Sequence, residues 1–131
     1  MNSIKLNVTQ SMLDDNILCL KIDQFLEQNN VSSQQKFKVI TCVMEALGNV
    51  IEHTTCQLED IIIILHCNSD RITIDLLDNS PFTPLNEEAT CPSPLSLSGR
   101  GLWIIQQWMD QVKFQSSAAG THLKLCLLRN S

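Results

Sequence analysis

Three residues in the first half of the chain recur every fourth position: Glu45, Asn49 and His53. In a helix of about 3.6 residues per turn, such a set advances by about 40° per step and lines one face. A carboxylate one turn from an amide oxygen can hold Mg²⁺ and orient a water or a hydroxyl. A solvated face of an amphipathic helix would show the same spacing. Gly48 lies within this stretch, and a mid-helix glycine costs about 1 kcal/mol relative to alanine, so something must approach or pack closely there.

Further along, Asp78 closes an alternating segment and is followed by Asn79 and Ser80. Asp-Asn at a strand end is common turn chemistry. The same carboxylate, if buried, could accept from an exocyclic amine of the kind that distinguishes adenine. Ser98-Gly99-Arg100-Gly101 directly precedes a helical pattern. Glycines at a helix entry let backbone N–H groups approach an anion, the helix dipole favours phosphate there, and Arg100 could add a charge contact. Gly120-Thr121 begins the last apolar segment, where a hairpin turn is explanation enough.

The elements that must position these residues follow from periodicity. Ile4, Leu6 and Val8 alternate with polar residues and predict a half-buried strand. Residues 12–29 show helical spacing through Ile17, Leu18, Leu20, Ile22, Phe25 and Leu26. Ser32, with Gln35 three residues on, predicts a capping box opening a second helix that runs to about Thr54. Its apolar stripe is read as Ile40, Val43, Met44, Leu47, Val50 and Ile51, with the Glu45–Asn49–His53 face opposite. Ile61–Cys67 reads as an apolar, central strand, and Ile72, Ile74 and Leu76 as a third strand joined to it by Asn68-Ser69-Asp70. Leu102, Ile105, Trp108, Met109 and Val112 predict one more helix, with Trp103 off its stripe. Lys113–Ser116 and His122–Leu128 predict a closing hairpin. All four prolines fall between Pro81 and Pro94, so residues 79–98 form a long irregular loop, well beyond the usual connection of about 4–6 residues. The expected architecture is a two-layer α/β (α+β) sandwich. A mixed, largely antiparallel sheet of about five strands carries three helices on one face.

Composition bounds the function. The 131 residues suit one domain, expected to be residues 1–131 with the loop 79–98 as an insertion in it. A net charge of −5 argues against a broad basic face for nucleic acid. The longest apolar run, Ile61–Leu65, is far short of the ~20 residues of a membrane span, and no secretory leader is visible. The six cysteines form no C-x-x-C pair and no zinc spacing, and most sit within apolar patterns. A reducing, cytoplasmic setting with free thiols is expected.

Taken together, these parts and their order resemble the GHKL-type ATPase domain, the Bergerat nucleotide fold. The matching stretches are VMEALGNVIEH (43–53), IDLLDNSPFTP (74–84), GRGLWIIQQWMDQV (99–112) and GTHLKL (120–125). The likeness covers almost the whole chain. The loop 79–98, short for this superfamily, and the expected lack of an accessory domain favour the stand-alone anti-sigma-factor serine kinases of bacteria over histidine kinases or topoisomerases. The resemblance implies ATP and Mg²⁺ as cofactors, with Asn49 the Mg²⁺ ligand and Glu45 the catalytic residue that orients or deprotonates the attacking hydroxyl. It implies Asp78 as the adenine-amine acceptor, supported by Thr121 through a water. Gly99, Arg100, Gly101 and Leu102 would form the phosphate-side box, and the loop 79–98 the lid; His53 matches an often-occupied position without an assigned role.

Ser80 departs from the family pattern, which has glycine in an Asp-x-Gly box, and a serine disfavours positive φ. The resemblance further implies phosphorylation of a STAS-domain anti-anti-sigma-like partner, sequestration of a sigma factor or similar regulator, a cognate serine phosphatase in the same pathway, and a homodimer. Neither direct nucleic-acid binding nor a membrane is expected. Ser80 motivates the alternative of a module on the same fold that acts by protein binding alone. An enzyme using a cysteine nucleophile is disfavoured, because no cysteine sits beside a histidine or at a helix N-terminus.

Overall fold

The computed structural model describes residues 2–53, 56–80, 100–118 and 120–129. Strand β1 (Asn2–Asn7) leads into helices α1 (Gln10–Asp14), α2 (Ile17–Gln28) and α3 (Ser33–His53). A 3₁₀ turn at Leu58–Asp60 precedes strands β2 (Ile62–Cys67) and β3 (Arg71–Asp78). Helix α4 (Arg100–Trp108) and strands β4 (Gln111–Ser116) and β5 (Thr121–Leu128) complete the described residues.

The strands form one sheet in the order β1-β2-β3-β5-β4, and every pairing is antiparallel. The expected mixed character is absent among the described residues. Strand β3 is the centre and β2 its neighbour, so β2 is flanked on both sides, as its apolar run requires. Alternation divides the sheet into two faces. Ile63, Leu65, Ile72, Ile74, Leu76, Leu123, Leu125 and Leu127 point to the helices and join one core cluster with Leu18, Ile22, Val39, Val43, Leu47 and Ile105. The opposite face carries no helix among the described residues.

Three expectations about the helices need correction. The single helix over 12–29 is two, because Asn16 adopts the left-handed conformation at φ 57° and breaks it; Leu20 then points outward and is exposed. Asparagine tolerates that region better than other side-chain-bearing residues. This makes four α-helices among the described residues rather than three.

On α3 the buried stripe is Val39, Cys42, Val43, Ala46 and Leu47, with Ile51 exposed. The Glu45–Asn49 face therefore borders the buried stripe, beside Cys42 and Ala46, instead of lying opposite it. Finally, α4 ends at Trp108 and Val112 belongs to β4. Asp110 turns the chain into the sheet: its N–H donates to the Cys126 carbonyl at 2.8 Å, and its carboxylate accepts from the Leu128 N–H at 2.7 Å.

Helix α3 opens as anticipated, with the Gln35 N–H donating to Ser32 Oγ at 3.2 Å. The Gln35 side chain does not return to complete a reciprocal box. It reaches instead to the carbonyls of Leu128 and Arg129, at 3.2 and 3.0 Å. Arg129 in turn donates to the carbonyls of Asn68, Asn29 and Asn30, so the end of β5 is fastened both to the α2–α3 junction and to the β2–β3 turn. That turn is set by Asn68, whose Oδ1 accepts from the Asp70 and Arg71 N–H groups.

Candidate nucleotide site

Asp78, at the last position of β3, faces the helix side of the sheet and is buried. Its Oδ1 accepts from the Ser80 N–H at 2.7 Å and also from the Ser80 hydroxyl. The first bond is an Asx turn, which the Asp-Asn dipeptide favours. Among the described residues, Oδ2 accepts no hydrogen bond. The carboxylate thus serves a turn with one oxygen and offers the other. Oδ2 is not enclosed like a buried orphan atom; it keeps access to the surface of the site and is open to a ligand or solvent donor.

Ser80 is buried, and it is not among the positive-φ residues, which among the described residues and apart from glycine are Asn16 and Asn30. The backbone strain expected from replacing glycine is absent; the serine instead spends its hydroxyl on Asp78. Thr121, buried and paired in register with Asp78, donates its hydroxyl to the Ser80 carbonyl at 2.9 Å. Asp78, Ser80 and Thr121 therefore form one hydrogen-bonded cluster at the β3–β5 end.

Gly120 completes it. A Cβ at this residue would lie 2.6 Å from the Asp78 carbonyl oxygen and 2.7–2.8 Å from backbone atoms of Asn79. The turn itself is closed by reciprocal backbone bonds between Ser117 and Gly120. A hairpin turn is thus only part of the reason for glycine here.

Glu45 and Asn49 are half-buried on α3, which packs against α4 and β3. The close packing expected at Gly48 is not found among the described residues: a Cβ there would meet nothing within 4 Å. Burial pushes the Cys42 thiol up to about 12, and the Glu45 carboxylate adds to that rise while Lys38 opposes it. Three positions on from the buried Cys42 along α3, Glu45 lies at the margin of the core. Just beyond α3, burial pushes the Cys56 thiol up, a hydrogen bond from the Asn79 backbone opposes this, and the Asp78 and Asp60 carboxylates add to it. Asn79 Nδ2 also donates to Asp60 Oδ2 at 3.1 Å. Residues 56–60 are thus held against the Asp78 end of β3. Cys56 and Asp60 carry no sequence signal for this role, since each looks like an ordinary loop residue.

Arg100, Gly101 and Leu102 form the first turn of α4. Gly99 and the lid residues 81–98 lie outside the described residues, as do the side chains of Arg100, Leu102 and His53, the last residue of α3. The residues present fit an adenine nucleotide at the base end: a buried carboxylate with one oxygen uncommitted, beside a backbone that approaches too closely for a side chain at Gly120. Glu45 and Asn49 supply an oxygen donor set of the kind Mg²⁺ takes.

Comparisons with known proteins bear on the family and the fold. The family model of the histidine kinase-like ATPase domain matches residues 16–127, and the chain belongs to that family. The crystal structure of the RsbU and RsbW domains of Rv1364c from Mycobacterium tuberculosis matches with a TM-score of 0.70 and 11% identity, over 98% of this chain. This chain spans 33% of that longer protein, so the likeness is one of fold. No curated protein matches the sequence. Among the described residues, no helix is long and apolar enough to cross a membrane.

Proposed function

We propose that this protein is a Mg-ATP-dependent serine/threonine protein kinase of the partner-switching, anti-sigma-factor type. The observation that carries the reading is the divided carboxylate of the largely buried Asp78, with Oδ1 committed to Ser80 and Oδ2 uncommitted and accessible. Family membership and the likeness to a chain containing an RsbW domain support it. Bound Mg-ATP would supply the transferable phosphoryl group. Asp78 accepts from the adenine amine and fixes the base, with Thr121 holding the Ser80 carbonyl in place. Asn49 contributes an amide oxygen to the cation. Glu45, one turn earlier, orients the incoming hydroxyl and takes its proton. The N-terminus of α4 directs backbone N–H groups at the phosphates.

The substrate on this reading is a serine or threonine of a STAS-domain antagonist, and the protein in its other state holds a sigma factor or similar regulator. A cognate serine phosphatase would reset the cycle, and the kinase would act as a homodimer.

Calorimetric titration with ATP, with and without Mg²⁺, tests the site. Wild type should bind saturably and Mg-dependently, and Asp78→Asn should weaken binding at least tenfold, about 1.4 kcal/mol. Glu45→Ala should abolish phosphotransfer to the partner while leaving ATP affinity within about twofold. Equal loss of both in Glu45→Ala would remove Glu45 from the catalytic role. No binding at millimolar ATP would leave an interaction module on this fold, with Ser80 closing the carboxylate that nucleotides would use.

A further inference from the structure

The side of the sheet away from the helices has a charge opposite to that of the whole chain. By alternation and register, Lys5, Arg71, Lys113 and Lys124 point to this side, and Asp75 is the only carboxylate there among the described strand residues. The chain as a whole carries a net −5. Three of these cations surround a cup of about 330 Å³ lined by Arg71, Thr73, Gln111, Lys113, Lys124 and Cys126. Its floor is a row across three strands, since Thr73 and Gln111 are both register partners of Cys126. Lys124 and its cross-strand partner Lys113 stand on one side of that row, and Arg71 stands two residues along β3 on the other. The small, buried Cys126 gives the cup depth, while a hydroxyl and an amide supply neutral hydrogen-bonding groups.

The arrangement is electrostatically incomplete. Lysines directly opposite each other on paired strands repel. Among the described residues none of the three cations is in an ion pair. Asp75, the register partner of Lys124, is engaged elsewhere, 2.7 Å from His122 Nε2. Gln115 meets the other nitrogen of that ring at 3.1 Å, which holds the imidazole towards Asp75.

We infer that this cup is a binding site for a small phosphate-bearing ligand. A multiply charged phosphate would offset the Lys113–Lys124 repulsion, and Thr73 and Gln111 can donate to its oxygens. A concave, polar floor walled by cations suits a compact anion better than the flat acidic surface of a protein. The site is separate from Asp78, which faces the helices on the other side of β3, and it does not depend on the proposed kinase reading.

Amide shifts of the full chain, titrated with inorganic phosphate and then pyrophosphate against chloride at matched ionic strength, provide the test. Saturable shifts centred on Thr73, Gln111 and Lys124 are expected, tighter for pyrophosphate. The Lys113→Gln/Lys124→Gln variant should weaken them at least tenfold, whereas Lys5→Gln, on the same face but on β1, should not. Asp78→Asn should leave them in place, which separates them from phosphate binding at the nucleotide site. Shifts that chloride reproduces, that fall elsewhere, or that survive the double variant would overturn the site. Binding of a polyglutamate peptide with no response to either phosphate would replace it with a docking face for an acidic partner.

Discussion

At Gly120 a single methyl group is the difference between two strands meeting and two strands colliding. Its φ of +156° and a Cβ position 2.6 Å from the Asp78 carbonyl leave no room for a side chain, because the neighbour is backbone and cannot swing away. Gly120→Ala should lower unfolding free energy by about 1–3 kcal/mol in urea titrations. It should also weaken ATP binding more than a remote substitution of equal stability cost, since it displaces Asp78 and Asn79. Cys42 makes a second prediction. Below its ordinary value of 9.0 the thiol is protonated in both folded and unfolded chains, and its contribution is fully present. Between 9.0 and about 12 the unfolded chain sheds the proton while the folded one keeps it. Stability should therefore fall through that window by up to roughly 1.4 kcal/mol per pH unit from this group. Urea midpoints at pH 8, 9 and 10 should decline less steeply in Cys42→Ala. The sequence made Asp78 legible as either a turn residue or a ligand acceptor, and the structure accommodates the turn with one oxygen while leaving the other uncommitted. The Ser80 hydroxyl bond was not legible, because whether a serine side chain turns inward depends on a burial that only the assembled sheet supplies.

Among the elements, periodicity located strands well where the apolar period was two and one face was buried. It failed where two periods overlapped. Val112 continues the stripe of α4 at the right helical interval and also alternates with Phe114, so sequence spacing alone fits both states; Asp110 decides for the strand by bonding across to β5. The split between α1 and α2 was missed for another reason. Apolar residues recur smoothly across it, while the break is written in Asp14-Asp15-Asn16, polar residues that an apolar count ignores. That break is testable. Asn16→Gly should leave the melting temperature nearly unchanged, and Asn16→Ala should cost about 1 kcal/mol, because alanine lacks a polar side chain to ease the left-handed conformation. Equal cost in both would mean that the asparagine side chain, and not its backbone, holds the junction.

Over the whole molecule, the fastening by Arg129 links parts of the chain roughly a hundred residues apart. Its guanidinium meets carbonyls from the α2–α3 junction and from the β2–β3 turn, and no carboxylate among the described residues is involved. Arg129→Ala should cost about 2 kcal/mol, read by chemical denaturation, with Arg129→Lys recovering only part because one ammonium cannot span both segments. The same wiring bears on how the protein is made. β5 is inserted between β3 and β4, so β3 has its second neighbour only once the last described strand has been synthesised. During translation the chain up to Asp78 can pair β1, β2 and β3, but it presents the free edge of β3 to its surroundings. The Asp78–Ser80–Thr121 cluster cannot close until Thr121 has cleared the ribosome. Nascent chains stalled before that point would be sticky along one edge and blind to nucleotide, and competence would arrive in a single late step.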